Sequence, residues 1–502
     1  MRSNPRILIV TPEITYLPHG MGNMTNTLTA KAGGLADVSA ALVSAMFDLG
    51  VDVHVALPHY RRMFNIDVGR LINDELRIYR GKLPNSRIHL AEDRVFYYRS
   101  SVYGHDHVEN PKIALAFQRE VINNILPEVQ PDLIHCNDWM TGLIPGMARR
   151  MNIPCLLTVH NIHTYDITLE AIEDNGIDAA VFWKYLYFKR VPANYEETRA
   201  TNPVDLLASG LFASHFINTV SPTFLDEIVA GRHDFVPPQV RHEMGQKLRA
   251  GCARGILNAP DPSFDPNADE RLAARFTAET HEEGKAANKL AFQEQTGLRK
   301  DRNAPILFWP SRLDPVQKGC QLLTDILYKV ISKYWKDNLQ VAVVANGAYQ
   351  KHFKDIQRFH NLSGRLAVCD FEETLSHLGY AAADFTLMPS RFEPCGLPQM
   401  TSALYGTLTI AHDTGGLHDT VHHLDIEQNK GNGFVFETYD SNGLSWAIDQ
   451  AMLFHRQPRE VRAAQLSRVM RESALEFNHE VAAKRYYEMY EAMLRRPLVQ
   501  PF

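Results

Sequence analysis

Residues 384–400, DFTLMPSRFEPCGLPQM, join a short apolar run to a stretch that no regular packing pattern explains. The apolar residues of FTLM are continuous rather than alternating, a pattern typical of a parallel strand covered on both faces. Pro398 suits the first turn of a helix, because a backbone N–H at that position has no partner within the helix. The stretch therefore predicts a strand, then a loop that carries Glu393, then the start of a helix.

Apolar runs of the same kind recur along the chain and are separated by longer segments with helical periodicity. Strands that alternate with helices predict doubly wound α/β sheets. We therefore expect an α/β fold with two Rossmann-like, doubly wound parallel-sheet domains that face a deep cleft. The predicted strands are RILIV, VDVHVALP, DLIHCND, CLLTVHN and FINTVS in the first half, and PILFWPS, LQVAVVA, GRLAVCD, DFTLMPS, TLTIAH and GFVFE in the second.

The second series of strands begins after residues 258–270, NAPDPSFDPNADE. This stretch is rich in proline and aspartate, which is typical of a linker. We therefore expect an N-terminal domain over residues 1–258 and a C-terminal domain over residues 259–475. A closing helical segment, residues 476–502, is expected to pack back on the N-terminal domain.

In such sheets ligands bind at the carboxyl ends of the strands, so the loops that follow the apolar runs hold the candidate site residues. Two of these loops contain paired glycines just before a helical pattern, in KAGGLAD (31–37) and DTGGLHD (413–419). Such glycines let backbone N–H groups approach an anion, although a plain tight turn explains them equally well. The candidates are Lys31 to Asp37, Asp138 and Trp139, His160 and Asn161, Arg312 to Lys318, Glu393 to Gln399, and Thr414 to Leu417.

Several of these candidates allow both a functional and a structural interpretation. Arg312 and Lys318 could bind a diphosphate, or they could be two solvated cations near a helix start. His160 could contact a substrate or could be a structural hydrogen-bonding group. Asp138 and Trp139 could bind the hydroxyls and the ring of a sugar, or they could be a helix N-cap and a core residue.

Composition argues against several classes of function. The net charge of −6 gives no bulk attraction to nucleic acid or to anionic membranes. No apolar segment approaches the roughly 20 residues of a membrane helix, and the six cysteines form no CxxC pair, so we expect a cytoplasmic protein with reduced thiols. His418 and His422 have the i, i+4 spacing of a metal pair, but a third ligand is not evident and no metal site is predicted.

Motifs distributed along nearly the whole chain point to one family. They are KAGGLADV, HCNDWMTGLIP, TVHNI, TVSPTF, GILNAPD, SRLDPVQKG, PSRFEPCGLPQM, YGTLTIAHDTGGLHDTV and GFVFE. With these motifs in this order, the chain resembles the bacterial glycogen synthases and plant starch synthases, which are retaining glucosyltransferases of the GT-B fold.

The resemblance implies transfer of glucose from a nucleotide diphosphate, with ADP-glucose favoured and UDP-glucose possible, to the nonreducing 4-OH end of an α-1,4-glucan without a metal or other cofactor. It implies that Arg312 and Lys318 neutralise the leaving diphosphate. It also implies that His160 and Glu393 hold the transferred sugar and that Asp138 lies on the acceptor side. The donor-binding residues that it implies are Lys31, Gly33, Gly34, Asp37, Asn258, Cys395, Gly396, Leu397, Thr414, Gly415 and Gly416.

The sequence departs from the family pattern at several of these motifs. SRLDPVQKG has one residue more than usual between Arg312 and Lys318, so the placement of the lysine is open. Pro398 replaces a residue with a backbone N–H, which removes one donor. The segment TPEITYLPHGMGNMTNTLTA (11–30) is longer than usual and is either a flap or a disordered surface insertion. Cys395 is expected to be a small, partly buried residue rather than a nucleophile, because no base is evident beside it.

Two other functions remain open from the sequence. One is a related glucosyltransferase that acts on a small sugar or a sugar phosphate. The other is a glucan-binding protein without catalytic activity. The joint presence of Lys31, His160, Arg312, Lys318 and Glu393 argues against the second alternative.

Overall fold

The structure is a computed structural model that describes residues 4–22, 25, 28–64, 87–104 and 108–499. These residues divide into two compact units, each with its own parallel sheet. The first unit comprises the described residues within Met1–Val220, Leu225–Ile256 and His479–Phe502, and the second comprises Ser221–Phe224 and Leu257–Asn478.

The sheet of the first unit has seven strands in the order β3-β2-β1-β4-β5-β8-β9, and every neighbouring pair is parallel. Strand β1 lies near the middle, where Ile7 pairs with Val53 on one side and Leu133 on the other. Strands β6 and β7 form a separate antiparallel ribbon. In chain order, β1 to β9 are Arg6–Val10, Asp52–Pro58, Ile88–Ala91, Leu133–Asn137, Cys155–Val159, Asp166–Ile167, Val204–Asp205, Phe216–Thr219 and Ala253–Gly255.

Helices lie between these strands in the chain. The helix Pro222–Val229, α9, is divided between the units, with residues up to Phe224 in the second and residues from Leu225 in the first. A π-helical turn, Val121–Ile125, joins α3 to α4, and short 3₁₀ turns occur at Trp139–Thr141, Ala179–Val181 and Trp183–Tyr185. Helices α1 to α10 are Gly34–Asp48, Arg94–Tyr97, Glu109–Glu120, Leu126–Val129, Ile144–Arg150, Leu169–Asp174, Tyr195–Arg199, Leu206–Ala213, Pro222–Val229 and Pro238–Arg249.

The second unit contains a six-stranded sheet in the order β12-β11-β10-β13-β14-β15, again with parallel neighbours only. Strands β10 to β15 are Ile306–Trp309, Gln340–Val344, Leu366–Cys369, Phe385–Met388, Leu408–His412 and Gly433–Phe436. Helices α11 to α18 are His281–Thr296, Cys320–Lys333, Gln350–Phe359, Glu373–Ala382, Pro398–Leu404, Gly415–Thr420, Ser441–His455 and Arg459–Glu476, with a 3₁₀ turn at Trp335–Asp337.

The eleven strands predicted from continuous apolar runs are all present, and the α/β fold with two parallel sheets is confirmed. The prediction missed both edge strands of the first sheet, β3 and β9. Three of the four residues of β3 are only half buried, and β9 is three residues long with an exposed Arg254. Edge strands need neither length nor two apolar faces, so they leave no continuous run in the sequence.

Residues 258–270 contain no helix or strand, but they pack against the second unit rather than forming a free linker. The buried carboxylate of Asp269 accepts a hydrogen bond from the hydroxyl of Tyr405 at 2.6 Å. It also lies 2.7 Å from Nδ1 of His377. Two partners from distant parts of the sequence therefore fix this stretch in place.

The final helix, α19, comprises His479–Leu494 and groups with the first unit. The hydroxyl of Tyr490 lies 2.6 Å from Nδ1 of His135 on β4, and the Asn218 amide on β8 donates to the hydroxyl of Tyr486 at 3.0 Å. These contacts hold α19 against the first sheet. No helix in the described part of the chain is long and apolar enough to cross a membrane.

Candidate active site

The second unit brings Lys318 and Glu393 together at the carboxyl ends of two adjacent strands. Strands β10 and β13 are parallel neighbours, so the loops that follow them lie at the same edge of the sheet. Nζ of Lys318 lies 2.5 Å from Oε2 of Glu393, and Oγ of Ser390 donates to the same oxygen at 3.0 Å. Both charged side chains are buried, so the extra residue in SRLDPVQKG does not carry Lys318 out of reach of Glu393.

Close backbone contact fixes the distance between these two loops. Gly319 has a φ of +70°, and a Cβ at this position would lie 2.0 Å from the carbonyl oxygen of Pro389. Only glycine permits that approach, since real Cβ atoms do not come so near to a backbone oxygen. The residue after Lys318 therefore packs directly against the segment that leads to Glu393.

The paired glycines of DTGGLHD pack against the Glu393 loop from the other side. A Cβ on Gly416 would lie 2.0 Å from the carbonyl oxygen of Cys395, and one on Gly415 would lie 2.1 Å from that of Glu393. The N–H of Gly416 donates to the carbonyl of Glu393 at 2.8 Å. This glycine pair is therefore needed to hold Glu393 in place, a structural role that sequence analysis did not assign to it.

Helix α15 begins at Pro398, as predicted, and Leu397 precedes it as the N-cap residue. The amide of Gln399 donates to the carbonyls of Cys395 and Gly396, each at 3.0 Å, and so ties the helix start to the loop. Burial raises the pKa of the Cys395 thiol to about 12. The thiol is therefore protonated near neutral pH, as expected for a packing residue rather than a nucleophile.

Two predicted site residues of the second unit have polar groups available for a ligand. The exposed guanidinium of Arg312 makes no hydrogen bond or ion pair with any residue that the structure describes. The side-chain oxygen of Asn258 is buried and lacks a hydrogen-bond partner within the described ranges. A buried acceptor without a donor is costly, so the unpaired oxygen of Asn258 needs a donor that the described residues do not supply.

In the first unit, Asp138 follows β4 and holds the loop that follows the adjacent parallel strand β5. Its Oδ1 accepts the backbone N–H of His160 at 2.6 Å and that of Asn161 at 3.3 Å. Asp138 is the N-cap residue of the 3₁₀ turn after it, but its side chain makes no cap bond to that turn. Burial raises the pKa of this carboxyl to about 7, with a further contribution from the charge of Glu13.

His160 is buried, and its Nε2 lies 3.0 Å from Oδ1 of Asn137, the last residue of β4. Burial lowers the pKa of His160 to about 3, so the ring is neutral at physiological pH. Trp139 is also buried, and its ring centroid lies 4.6 Å from that of Tyr165. Trp139 therefore has the core role that the sequence left as one of its two interpretations.

The KAGGLAD loop differs from the expected anion site, because a carboxylate of the chain itself occupies it. Oε2 of the buried Glu13 accepts the backbone N–H groups of Ala32 at 2.7 Å and Gly33 at 2.9 Å. The hydroxyl of Tyr103 donates to the other oxygen of Glu13 at 2.7 Å. A donor phosphate could reach these two N–H groups only by displacing Glu13, and the expectation that this loop faces the donor stays a prediction.

Lys31 and Gly33 nevertheless remain accessible to a ligand. The ammonium of Lys31 is half exposed and lies 2.8 Å from Asp37, whose carboxylate is nearly buried. A Cβ on Gly33 would meet nothing within 4 Å, so no packing inside the protein requires glycine there. The absence of a side chain at Gly33 leaves room for a molecule from outside the chain.

Glu13 and Tyr103 contact each other beside the KAGGLAD loop, but sequence analysis did not select either residue. Glu13 lies three residues after the end of β1, so the rule that placed candidates after strands could have selected it. Tyr103 lies in a loop without a distinctive motif, and its contact with Glu13 spans 90 residues. Nothing local in the sequence marks such a contact.

The long segment 11–30 is described at residues 11–22, 25 and 28–30, and the rest of the predicted flap or insertion lies outside the described residues. Ile14 and Ala30 pair as an antiparallel bridge that closes the base of the segment. Leu17, Met21 and Leu28 are buried, so the described part is packed rather than a disordered insertion.

The histidines of HDTVHH show no metal cluster. Nδ1 of His418 lies 2.7 Å from the carboxylate of Asp413 on the exposed side of α16, and His422 is also exposed. No group of three or more His, Cys, Asp or Glu side chains in the described ranges could hold a metal ion.

Comparisons with known proteins assign the family. Residues 6–236 match the family described as starch synthase catalytic domain, and residues 292–465 match glycosyl transferases group 1. The glycogen synthase of Moorella thermoacetica is 32% identical over 513 residues, covering 98% of this chain and 97% of that protein. The glycogen synthase of Geobacillus stearothermophilus is 30% identical, covering 93% and 96%.

Among solved structures, the catalytic domain of starch synthase IV from Arabidopsis thaliana, bound to ADP and acarbose, matches with a TM-score of 0.76 and 24% identity. The match covers 98% of this chain and 100% of that one. A sucrose-phosphate synthase from Thermosynechococcus elongatus matches with a TM-score of 0.57 and 18% identity over 98% of this chain and 99% of that one. These matches confirm the GT-B fold, and the chain belongs to the glycogen synthase family of glycosyltransferases.

Proposed function

We propose that this protein extends an α-1,4-glucan by transferring glucose, with retention, from ADP-glucose to the nonreducing 4-OH end. The observation that carries the assignment of roles is the buried contact between Lys318 and Glu393 where β10 and β13 end. The ADP in the starch synthase IV structure supports an adenine nucleotide as the leaving group. The six free cysteines support a cytoplasmic location, where thiols stay reduced.

The second unit is assigned the donor. When the bond from glucose to the diphosphate breaks, negative charge develops on the departing phosphate and positive charge on the sugar. The guanidinium of Arg312 has no partner among the described residues and can bind phosphate in a fork, and the buried Lys318 adds a cation that Glu393 holds in place. Cations that are already in place need no rearrangement as the charge develops, so they favour the transition state over the ground state.

Glu393 is assigned to the sugar itself. Its Oε2 is bound by Lys318 and Ser390, while no hydrogen bond or ion pair reaches Oε1 from the residues that the structure describes. With Oε2 fixed, Oε1 can accept hydrogen bonds from glucose hydroxyls. The negative charge of the carboxylate is complementary to the positive charge that develops on the sugar. The remaining donor-site assignments are Asn258, Cys395, Gly396, Leu397, Thr414, Gly415 and Gly416.

The first unit is assigned the acceptor and one face of the transferred glucose. The neutral ring of His160 is suited to hydrogen bonding with a sugar hydroxyl, because it carries no charge that would oppose the developing oxocarbenium ion. Asp138 has a pKa near neutrality and is suited to accept a hydrogen bond from the attacking 4-OH. Lys31, Gly33, Gly34 and Asp37 are assigned to the donor from this unit.

The test is incubation of the purified protein with glycogen and either ADP-glucose or UDP-glucose in the presence of a chelator. Release of nucleotide diphosphate and growth of the glucan are both measured. Faster growth with ADP-glucose supports the proposal, and faster growth with UDP-glucose overturns the donor assignment. Release without glucan growth, or growth on maltose but not glycogen, points to the small-sugar alternative. No release with either donor, despite glycogen binding, points to the non-catalytic alternative.

A further inference from the structure

Asn137, the last residue of β4, contacts both β1 and the loop that follows β5. Its amide nitrogen donates to the carbonyl of Val10 at 3.1 Å, and its Oδ1 lies 3.0 Å from Nε2 of His160. Asn137 and His160 are both buried, so these polar groups depend on the partners that the protein supplies. The chemistry of those partners fixes which atom donates in each hydrogen bond.

The carbonyl of Val10 sets the orientation of the Asn137 amide. A backbone carbonyl can only accept a hydrogen bond, so the group that faces it must be the NH₂ of the amide. The reverse orientation would place two oxygens against each other and leave both without a donor, which is costly in a buried site. Oδ1 therefore faces His160, and Asn137 presents an acceptor to the imidazole ring.

This acceptor decides which ring nitrogen of His160 carries the proton. Burial lowers the pKa of His160 to about 3, so the neutral ring has one N–H and one lone pair. Nε2 faces an oxygen that can only accept, so Nε2 must carry the proton and donate it. The lone pair is then on Nδ1, and no hydrogen bond from a residue that the structure describes reaches that atom.

The residue after Asn137 holds the backbone of the same histidine. Oδ1 of Asp138 accepts the backbone N–H of His160 at 2.6 Å. In a regular strand the side chains of Asn137 and Asp138 would point to opposite faces. Asp138 instead has a φ of +56°, a region that favours glycine, and this change of backbone direction lets both side chains reach His160. Two consecutive residues therefore fix the ring and the backbone of His160.

We propose that Asn137 is a positioning residue, which holds His160 as the Nε2–H tautomer so that Nδ1 accepts a hydrogen bond from a hydroxyl of the transferred glucose. The tautomer does not depend on the reaction, while the identity of the hydroxyl rests on the proposed function. A lone pair cannot bond a group that only accepts, so the site should reject a glucose in which fluorine replaces that hydroxyl. A proton on Nδ1 would make fluorine more acceptable there.

Magnetic resonance of the full chain, labelled with ¹⁵N at histidine, tests the tautomer directly. The signals of His160 are those that disappear in His160→Gln. Near pH 7 we expect the wild type to carry the proton on Nε2 and none on Nδ1. In Asn137→Leu both tautomers should appear, because the acceptor that selects one of them is gone.

Asn202→Leu is the matched control. Asn202 is also buried in the first unit, but its side chain bonds the backbone of Arg190 instead of a histidine. This variant should keep the wild-type tautomer of His160. A proton on Nδ1 in the wild type would overturn the proposal, and a single unchanged tautomer in Asn137→Leu would show that Asn137 does not select it.

Calorimetric titration with derivatives of ADP-glucose tests the direction of the bond to the sugar. In these derivatives hydrogen or fluorine replaces the hydroxyl at C3, C4 or C6. His160→Ala should weaken binding about tenfold for every derivative that keeps the contact and leave unchanged the one that lacks it, which identifies the hydroxyl. If all derivatives respond equally to His160→Ala, the ring contacts no sugar hydroxyl and the proposal is overturned.

At the identified position, the fluorine and hydrogen derivatives should bind the wild type equally, within about twofold, because neither can donate to Nδ1. In Asn137→Leu the fluorine derivative should bind more tightly than the hydrogen derivative, and Asn202→Leu should behave as the wild type. Fluorine that binds the wild type about fivefold more tightly than hydrogen would show that His160 donates, which contradicts the proposal. If ADP-glucose itself does not bind, the proposed function fails, and the resonance spectrum still decides the role of Asn137.

Discussion

The two units handle buried charge in opposite ways at their sites. In the second unit, Lys318 and Glu393 are both buried and remain paired at 2.5 Å. In the first unit, His160 and Asp138 are buried and form no ion pair with any residue that the structure describes, and burial moves the pKa of each toward the neutral form. Paired charges can stay ionised in a buried site, while isolated ones give up their charge. Under the proposed function, the residues of the first unit would therefore act through hydrogen bonds, and those of the second through fixed charge.

The largest expected effect comes from breaking the charge pair. Glu393→Gln keeps the shape of the side chain but leaves the Lys318 ammonium buried without its carboxylate. We expect kcat for glucan extension to fall on the order of 10³-fold, because transition-state electrostatics usually supply the largest single contribution to catalysis. The measurement is the release of nucleotide diphosphate at saturating donor and glycogen.

Glu294→Gln is the control for this substitution. Glu294 also pairs with a lysine of the second unit, Lys300 at 3.0 Å, but both side chains are largely exposed. Exposed pairs contribute little, so activity and stability should not change. A loss of less than tenfold for Glu393→Gln would show that the pair is structural. In that case the double variant Lys318→Gln, Glu393→Gln should be more stable than either single variant, and its kcat should equal that of the wild type.

The second largest effect is expected from Asp138, the buried carboxyl of the first unit. Asp138→Asn should lower kcat on the order of 10²-fold through loss of the acceptor-side hydrogen bond, yet raise stability above neutral pH. The native carboxyl titrates near pH 7 and the unfolded one near 3.8, so wild-type stability falls as pH rises from about 4 to about 7 and is constant above that. The amide that replaces the carboxyl does not titrate, so the variant should gain on the order of 4 kcal/mol at pH 8 and less than about 1 kcal/mol at pH 4.

Denaturant unfolding at pH 4, 6 and 8 measures this gain. Asp226→Asn serves as the control, since Asp226 is exposed on α9 and the same change of charge there should give no rising gain with pH. A stability difference between wild type and Asp138→Asn that does not depend on pH would mean that Asp138 is ionised in the folded protein throughout this range.

The two glycine pairs permit a third comparison. Gly416→Ala places a Cβ 2.0 Å from the carbonyl of Cys395 and must shift the Glu393 loop, so we expect a loss of about 2–3 kcal/mol in stability and about tenfold in kcat. Gly33→Ala meets no atom of the protein within 4 Å and should leave stability unchanged. It should raise the KM for the donor if the open space at Gly33 receives the substrate. Equal stability of the two variants would contradict the structural role of Gly416.

Sequence patterns predict the fold well, because an interior strand that is buried on both faces consists of a continuous run of apolar residues. They predict the site less evenly. Lys318 and Glu393 both follow strands, so the sequence identifies each as a candidate. Their contact arises because β10 and β13 are neighbours in the sheet, and the sequence does not state the order of the strands. The occupation of the KAGGLAD loop by Glu13 was not predicted, because a carboxylate that satisfies backbone N–H groups 19 residues away leaves no local signal.

The smallest expected effect comes from Glu13→Gln, which tests whether the first unit tolerates a loss of charge better than the second. The amide oxygen of the substituted side chain can still accept from the N–H groups of Ala32 and Gly33, so the loop should keep its conformation. Removing this negative charge should also lower the pKa of Asp138, because Glu13 contributes to raising it. We therefore expect kcat to change by no more than a few fold and the pH profile of kcat/KM to shift toward acid. An unshifted profile would mean that Asp138 does not set the pH dependence, and a large loss of activity would mean that Glu13 contacts the substrate directly.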